Sequence, residues 1–312
     1  MPPSNHQLIC LESKLDQAHL YVHLWPLERA TGWVHIMHGM SEHAGRYHHL
    51  ASALNDAGFN VSADDHRGHG LTGKEVGALG HLAHSNGWQK VVSDQAQIIL
   101  HLQTQWTQPL TILGHSMGSF LATRLVQKYA QKFDKQLHGL VLSGSNYSPP
   151  WWYRIASLVA SFERWRHGPL GQSGLLHQLS FGSFNNNFKP TRTAKDWLSS
   201  DPVAVDAYLT DPLAGQGISN QFWFDLLNGL AELSEPDAMA QINNDLPIYL
   251  FSGDKDPVGK QGRGVIELQR ALKRAGSKQV DCRLYEHGRH EMLNEPNQQE
   301  VISELIVWLK QA

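Results

Sequence analysis

Five residues, Gly114-His115-Ser116-Met117-Gly118, constrain this chain more than any other stretch. Before them, Pro109-Leu110-Thr111-Ile112-Leu113 is apolar and partly β-branched, which reads as a short buried strand. After them, Ser119 to Val126 carries Leu121, Leu125 and Val126 at helical spacing. A strand that turns at once into a helix holds its central residue strained, with the side chain exposed. Glycines on either side lack Cβ atoms, so the two arms can pass close together. The Ser116 hydroxyl then sits at a helix N-terminus, where outward N–H groups favour negative charge. The plainer alternative is a Gly-rich turn carrying a solvated serine. The strand–turn–helix context favours a nucleophile.

Strands and helices alternate around this turn. Strands are expected at 8–11 and 20–25 as an antiparallel pair, then at 34–38, 59–63, 109–113 and 139–143. Helices are expected at 47–57 and 88–103, the latter with Val91, Ala96, Ile99 and Leu100 on one side. The pattern predicts a mostly parallel sheet covered on both faces. Asp65-His66-Arg67-Gly68-His69-Gly70 reads as a tight, exposed loop. The alternation stops from about Asn146 to Ile242. Helical stripes appear there instead, at Trp152, Ile155, Val159 and Phe162 and at Trp223, Leu226, Leu227 and Leu230. A strand at 247–252, a helix at 265–275, a strand at 280–285 and a helix at 299–309 complete the chain. The expected organisation is an α/β core of residues 1–145 and 243–312, with a helical cap of 146–242 inserted after the sixth strand. A length of 312 residues suits this arrangement.

A serine nucleophile needs a base, and the base needs an orienting carboxylate. Both belong in loops at the carboxyl ends of later strands. The loop after 247–252 offers Asp254 and Asp256, and the loop after 280–285 offers His287 and His290. Asp256 is preferred because Gly-x-x-Asp-Pro spacing puts it at the end of the turn with a rigid proline behind it. Asp254 reads as a turn-capping carboxylate. His290 is preferred because it lies farther along its loop, and His287 reads as exposed. The resulting order, Ser, Asp, His, is the one that accompanies a nucleophile elbow. A tetrahedral intermediate also needs two preorganised N–H donors. The backbone of Met117 and that of Met40, in the His38-Gly39-Met40 turn, are the candidates. Glu42 and Arg46 are spaced i, i+4 and read as stabilising that turn.

Composition excludes several other functions. A net charge of −3 with no long basic run gives no reason to expect nucleic acid. Nineteen histidines are scattered and H-E-x-x-H is absent, so no metal or other cofactor is expected. Cys10 and Cys282 lie in expected strands and read as buried free thiols of a reducing compartment. Met1 to His6 has neither a basic nor an apolar leader segment. The lipophilic stretch from Trp151 to Trp165 is broken by Arg154 and Glu163, short of the roughly 20 apolar residues a bilayer requires. A soluble cytoplasmic protein with no obligate protein partner is expected.

Five stretches together resemble the α/β-hydrolase superfamily, and within it the monoacylglycerol lipase and lysophospholipase group, close to the serine aminopeptidase-like hydrolases. They are His38 to Tyr47, Asp65 to Gly70, Gly114 to Gly118, Ser252 to Pro257 and Tyr285 to Glu291. Two positions depart from the eukaryotic pattern: Met40 stands where a small residue is common, and Leu71-Thr72 where a small polar pair is usual. The resemblance implies an α/β-hydrolase fold, a triad of Ser116, Asp256 and His290, and oxyanion donors at Met40 and Met117. It also implies hydrolysis of a single-chain lipid ester through an acyl-enzyme. Cap aromatics Trp151, Trp152, Phe181, Phe184, Phe188, Trp223 and Phe224 are candidates for an acyl pocket, and the cap for transient contact with a membrane surface. Three other readings remain: an aminopeptidase or amidase holding a substrate ammonium through Asp201, Asp206 or Asp211, a small-ester carboxylesterase, and a non-catalytic ligand-binding protein.

Overall fold

Successive residues of a strand point to opposite faces of its sheet, so a strand covered on both faces is buried at every position, and a polar side chain there needs a partner. The central strands are buried throughout, and His35, for example, bonds Ser62 and Gln95. The computed structural model describes residues 5–312, leaving aside the side chains of 134 and 135. Residues 1–4 of the N-terminal stretch lie outside it. The first half runs β1 (Gln7–Glu12), β2 (His19–Trp25), β3 (Gly32–Met37), α1 (His48–Asp56), β4 (Phe59–Asp64), α2 (Gly70–Glu75) and α3 (Gly87–Leu102). It continues with β5 (Leu110–His115), α4 (Met117–Tyr129) and β6 (Leu137–Ser143). Five helices follow without a strand: α5 (Pro150–His167), α6 (Gly174–Phe181), α7 (Pro202–Thr210), α8 (Asn220–Leu233) and α9 (Pro236–Met239). The sheet resumes with β7 (Ile248–Gly253), α10 (Arg263–Arg274), β8 (Val280–Tyr285) and α11 (Gln298–Leu309).

One eight-stranded sheet has the order β1-β2-β4-β3-β5-β6-β7-β8. β2 is antiparallel to both β1 and β4, and the remaining neighbours are parallel. Alternate residues feed two cores. Trp33, Ile112, Leu140, Leu142 and Leu250 pack toward α3, α4, α8 and α10. Val34, Ile36, Leu113, Val141 and Phe251 pack toward α1 and α11. Each such side chain contributes about 1.5–3 kcal/mol by leaving water. Truncating the fully buried Phe251 to Ala costs about 3–5 kcal/mol on this scale.

Four expectations need correcting. Residues 65–70 are buried, not an exposed loop, because Arg67 turns inward onto Asp16 and Asp94. Cys10 is exposed and Cys282 half-buried, because β1 and β8 are the two edge strands. Leu100 faces solvent on α3, whose buried side uses Ile98 instead. On α5 the stripe carrying Trp152, Ile155 and Phe162 points outward, each residue at least half exposed. The helix buries Tyr153, Ser157, Ala160 and Glu163 instead, where its small side chains allow close packing on α8.

Candidate active site

Ser116 sits between the end of the central strand β5 and the start of α4. Its backbone has φ 51° and ψ −120°, a conformation that a residue with a side chain adopts only under constraint. The constraint is mutual proximity of the two arms. A Cβ on Gly114 would lie 2.3 Å from the Gly118 carbonyl oxygen, and one on Gly118 would lie 2.0 Å from that of Met37. The Ser116 N–H donates to the Ser143 carbonyl on β6 at 2.9 Å, which fastens the turn to the sheet.

Asp256 and His290 follow β7 and β8 and meet above the end of the sheet. His290 Nδ1 lies 3.0 Å from Asp256 Oδ1. That same oxygen accepts from the Val258 N–H at 2.8 Å, and Oδ2 accepts from the Ser252 hydroxyl at 2.8 Å. Both side chains are buried. Burial alone would raise the Asp256 pKa, but the His290 charge and these hydrogen bonds overcome it and hold the carboxyl below its ordinary range. Burial likewise acts to lower the His290 pKa. The Asp256 charge and hydrogen bond, with the charges of Glu291 and Glu42, reverse that and raise it. With Nδ1 occupied, Nε2 is the atom His290 presents to the cavity it lines. The competing residues lie elsewhere: Asp254 pairs with Lys255 at the surface, and the His287 side chain is 80% exposed.

The turn after β3 is built on a buried ion network. Glu42 Oε1 accepts from the Gly39 N–H at 2.6 Å and from the Tyr47 hydroxyl at 2.9 Å. Arg46 donates to Glu42 Oε2 at 2.7 Å and, through both terminal nitrogens, to Glu291 at 2.9 and 2.7 Å. Burial would raise the Glu291 pKa, yet Arg46 holds it down at about 2. His38 fixes the other side of the turn. Its Nε2 accepts from the His66 N–H, so Nδ1 carries the proton and donates to the Gly39 carbonyl at 2.7 Å. The Gly39 N–H is therefore committed, and the next one along, of Met40, is the donor this turn can offer. The Met117 N–H belongs to the first turn of α4, where N–H groups have no intrahelical partner.

Ser116, His290, Met40 and Met117 line one cavity of about 410 Å³. From the helical insert, Phe181, Phe184 and Trp223 line it too. Trp151 and Trp152 do not: they stand on the outer face of α5, 58% and 54% exposed. Phe188 and Phe224 are also absent from its wall. Trp197, Leu198, Lys195 and Tyr208 line it without any sequence signal to find them. Trp197 packs on His290 with ring centroids 5.3 Å apart. The Glu291 N–H donates to the Leu198 carbonyl at 2.7 Å. Lys195 holds its ammonium over the Phe181 and Tyr208 rings, and burial lowers its pKa. Of the acidic candidates, Asp201 caps α7, Asp206 pairs with Arg192 and Asp211 with His43. The one grouping of metal-capable side chains among the described residues lies outside this cavity.

The family model Hydrolase_4, described as serine aminopeptidase, S33, matches residues 28–297. The chain is 29% identical over 279 residues to the monoacylglycerol lipase of Mycolicibacterium smegmatis, covering 89% of this chain and 88% of that one. It is 25% identical over 311 residues to the human monoglyceride lipase, covering 95% and 88%. A thermostable carboxyl esterase from Bacillus coagulans superposes with a TM-score of 0.89 at 25% identity, over 99% of both chains. A lipase in an open form superposes at 0.87 with 29% identity, over 98% of both. The chain belongs to the Hydrolase_4 family and is a lipase/esterase-like α/β hydrolase.

Proposed function

We propose that this protein is a serine carboxylic ester hydrolase for esters of a single acyl chain, of the monoacylglycerol or lysophospholipid type. Ser116 Oγ attacks the ester carbonyl while His290 Nε2 takes its proton. Asp256 holds the Nδ1–H tautomer and stabilises the imidazolium. The N–H groups of Met40 and Met117 receive the oxyanion. His290 returns the proton to the departing alcohol, and water, activated by the same base, releases the acid. In this reading residues 146–242 form a cap over the core of 1–145 and 243–312. The observation that carries the proposal is the enclosure of Ser116 and His290 in one pocket walled by Phe181, Phe184, Trp223 and Leu226. Its volume of about 410 Å³ lies low in the range of roughly 300–1,000 Å³ for small-molecule pockets, room for one chain and not three.

The test is a chain-length series of p-nitrophenyl esters on purified protein. Each buried CH₂ contributes about 0.8 kcal/mol, so kcat/KM is expected to climb roughly fourfold per carbon from acetyl toward octanoyl. Phe181→Ala and Trp223→Ala are expected to flatten the climb while sparing acetyl-ester turnover. A maximum at acetyl would leave a small-ester carboxylesterase. Aminoacyl anilides in the same panel address a peptidase. That reading has less support, because among the described residues no acidic group faces the cavity unpaired: Glu42 and Glu291 are both bound to Arg46.

A further inference from the structure

At the other edge of the molecule the fold gathers three histidines that are far apart in sequence. His6 precedes β1, His23 lies on β2, and His48 opens α1. One ring nitrogen from each can be chosen so that all three lie within 4.8 Å of one another. His6 Nε2 is 3.0 Å from His23 Nδ1, and the His6 and His48 rings meet edge-on at 4.8 Å between centroids. One nitrogen here, His48 Nδ1, is buried without a hydrogen-bond partner, and the His23 side chain is only 9% exposed. Buried polar atoms left unpaired are costly, and they call for a ligand.

We propose that His6, His23 and His48 bind one divalent transition-metal ion of the zinc class through three imidazole nitrogens. At a metal–nitrogen distance of about 2.1 Å, two nitrogens on one tetrahedral ion sit about 3.4 Å apart. The pair now at 3.0 Å needs only to spread slightly, and His48 to draw in. The wiring around His23 fits. Its Nε2 faces Asp65 Oδ2 at 3.6 Å, a carboxylate pinned by the N–H groups of Ala44 and Leu71. A carboxylate behind one ring nitrogen favours the proton there and leaves the Nδ1 lone pair for a metal. His6 and His48 are half-buried, which leaves a route for the ion and a place for a water as fourth ligand. None of the three lines the Ser116 cavity, so the ion would fasten β2 and the segment entering β1 to α1 and take no part in ester hydrolysis.

The test uses the untagged full-length chain, stripped with a chelator and titrated with Co²⁺ and then Zn²⁺. Expected are visible bands of four- or five-coordinate Co²⁺ saturating at one equivalent, their loss on adding Zn²⁺, and a Tm raised by roughly 5 °C at a hundredfold excess over Kd. H6A and H48A should each weaken binding by roughly tenfold to a hundredfold or more, at least the loss that outer partners alone cause. Turnover of an acetyl ester should not change in H6A. His6 lies outside any helix or strand, so H6A decides the matter if H48A fails to fold. Absence of the bands, or bands that persist undiminished in H6A, would overturn the proposal.

Discussion

Asp256 and His290 each set the charge of the other, and the sign of that coupling fixes a pH dependence. Only neutral imidazole can accept the serine proton. The His290 pKa is raised, so kcat/KM is expected to be low in acid and to rise with a midpoint above the 6.5 of free histidine. Asp256→Asn removes the charge that raises it. The expected result is a midpoint at lower pH together with a kcat reduced roughly 10⁴-fold by the wrong tautomer. A pH–rate profile of both proteins checks this, and an unmoved midpoint would refute the pairing. The same shifts act on stability. The His290 contribution is full below about 6.5 and is lost as pH rises through its folded value. The Asp256 contribution is present above about 3.9 and is lost as pH falls through its depressed value. Ser116→Ala should lose roughly 10⁶ in kcat with the fold intact, and a fluorophosphonate adduct should map to Ser116 by mass spectrometry.

At the scale of elements, the turn after β3 depends on a residue 245 positions away. Arg46 joins Glu42, in its own turn, to Glu291, in the loop after β8. Arg46→Met would leave two carboxylates buried without a cation, at an expected cost of about 3–5 kcal/mol in urea unfolding. Arg46→Lys keeps the charge but loses the two-pronged geometry, so it should fall in between. Equal stability of Arg46→Met and the parent would show that the network carries no load. This network also marks what the sequence could convey. The i, i+4 spacing of Glu42 and Arg46 was legible because it is local, but nothing local points to Glu291. Strand positions were legible because short apolar, partly β-branched runs bounded by turn residues are local too. Loops at one end of a parallel sheet must converge, so the proximity of the loops that carry Ser116, Asp256 and His290 follows from the order of the strands. The buried side of α5 was not legible. A period of 3.6 says which residues share a face, and only the partner helix α8, with room for Ser157 and Ala160, says which face turns inward. The burial of residues 65–70 is just as non-local: Asp94, which draws Arg67 inward, lies on α3.

The outward face of α5 bears on how the whole molecule meets its substrate. Trp151, Trp152, Ile155, Leu158, Phe162 and Trp165 are all at least half exposed, Trp165 at 80%. Arg164 and Arg166 occupy the last turn of the same helix. On α6, Leu175 and Leu179 are exposed while His177 and Phe181 line the cavity. Among the described residues no helix is long and apolar enough to cross a membrane. A large exposed apolar patch on such a chain marks an interaction surface, and aromatic residues flanked by arginines suit the headgroup boundary of a bilayer. Since α6 presents one side to the cavity and the other to solvent, docking this face would bring a lipid ester close to the pocket without a passage through water. Binding to vesicles is therefore expected to strengthen with the fraction of anionic lipid. The combined variant Trp152→Glu, Leu158→Glu and Trp165→Glu should lose most of that binding. It should raise the apparent KM for monoacylglycerol carried in vesicles and leave turnover of a water-soluble butyrate ester unchanged, since none of the three side chains lines the cavity. Equal sedimentation of parent and variant with vesicles would discard the membrane role. A loss of butyrate turnover would instead mean that the substitutions disturb the packing of α5 on α8, and the two results are separated by measuring both substrates on the same preparations.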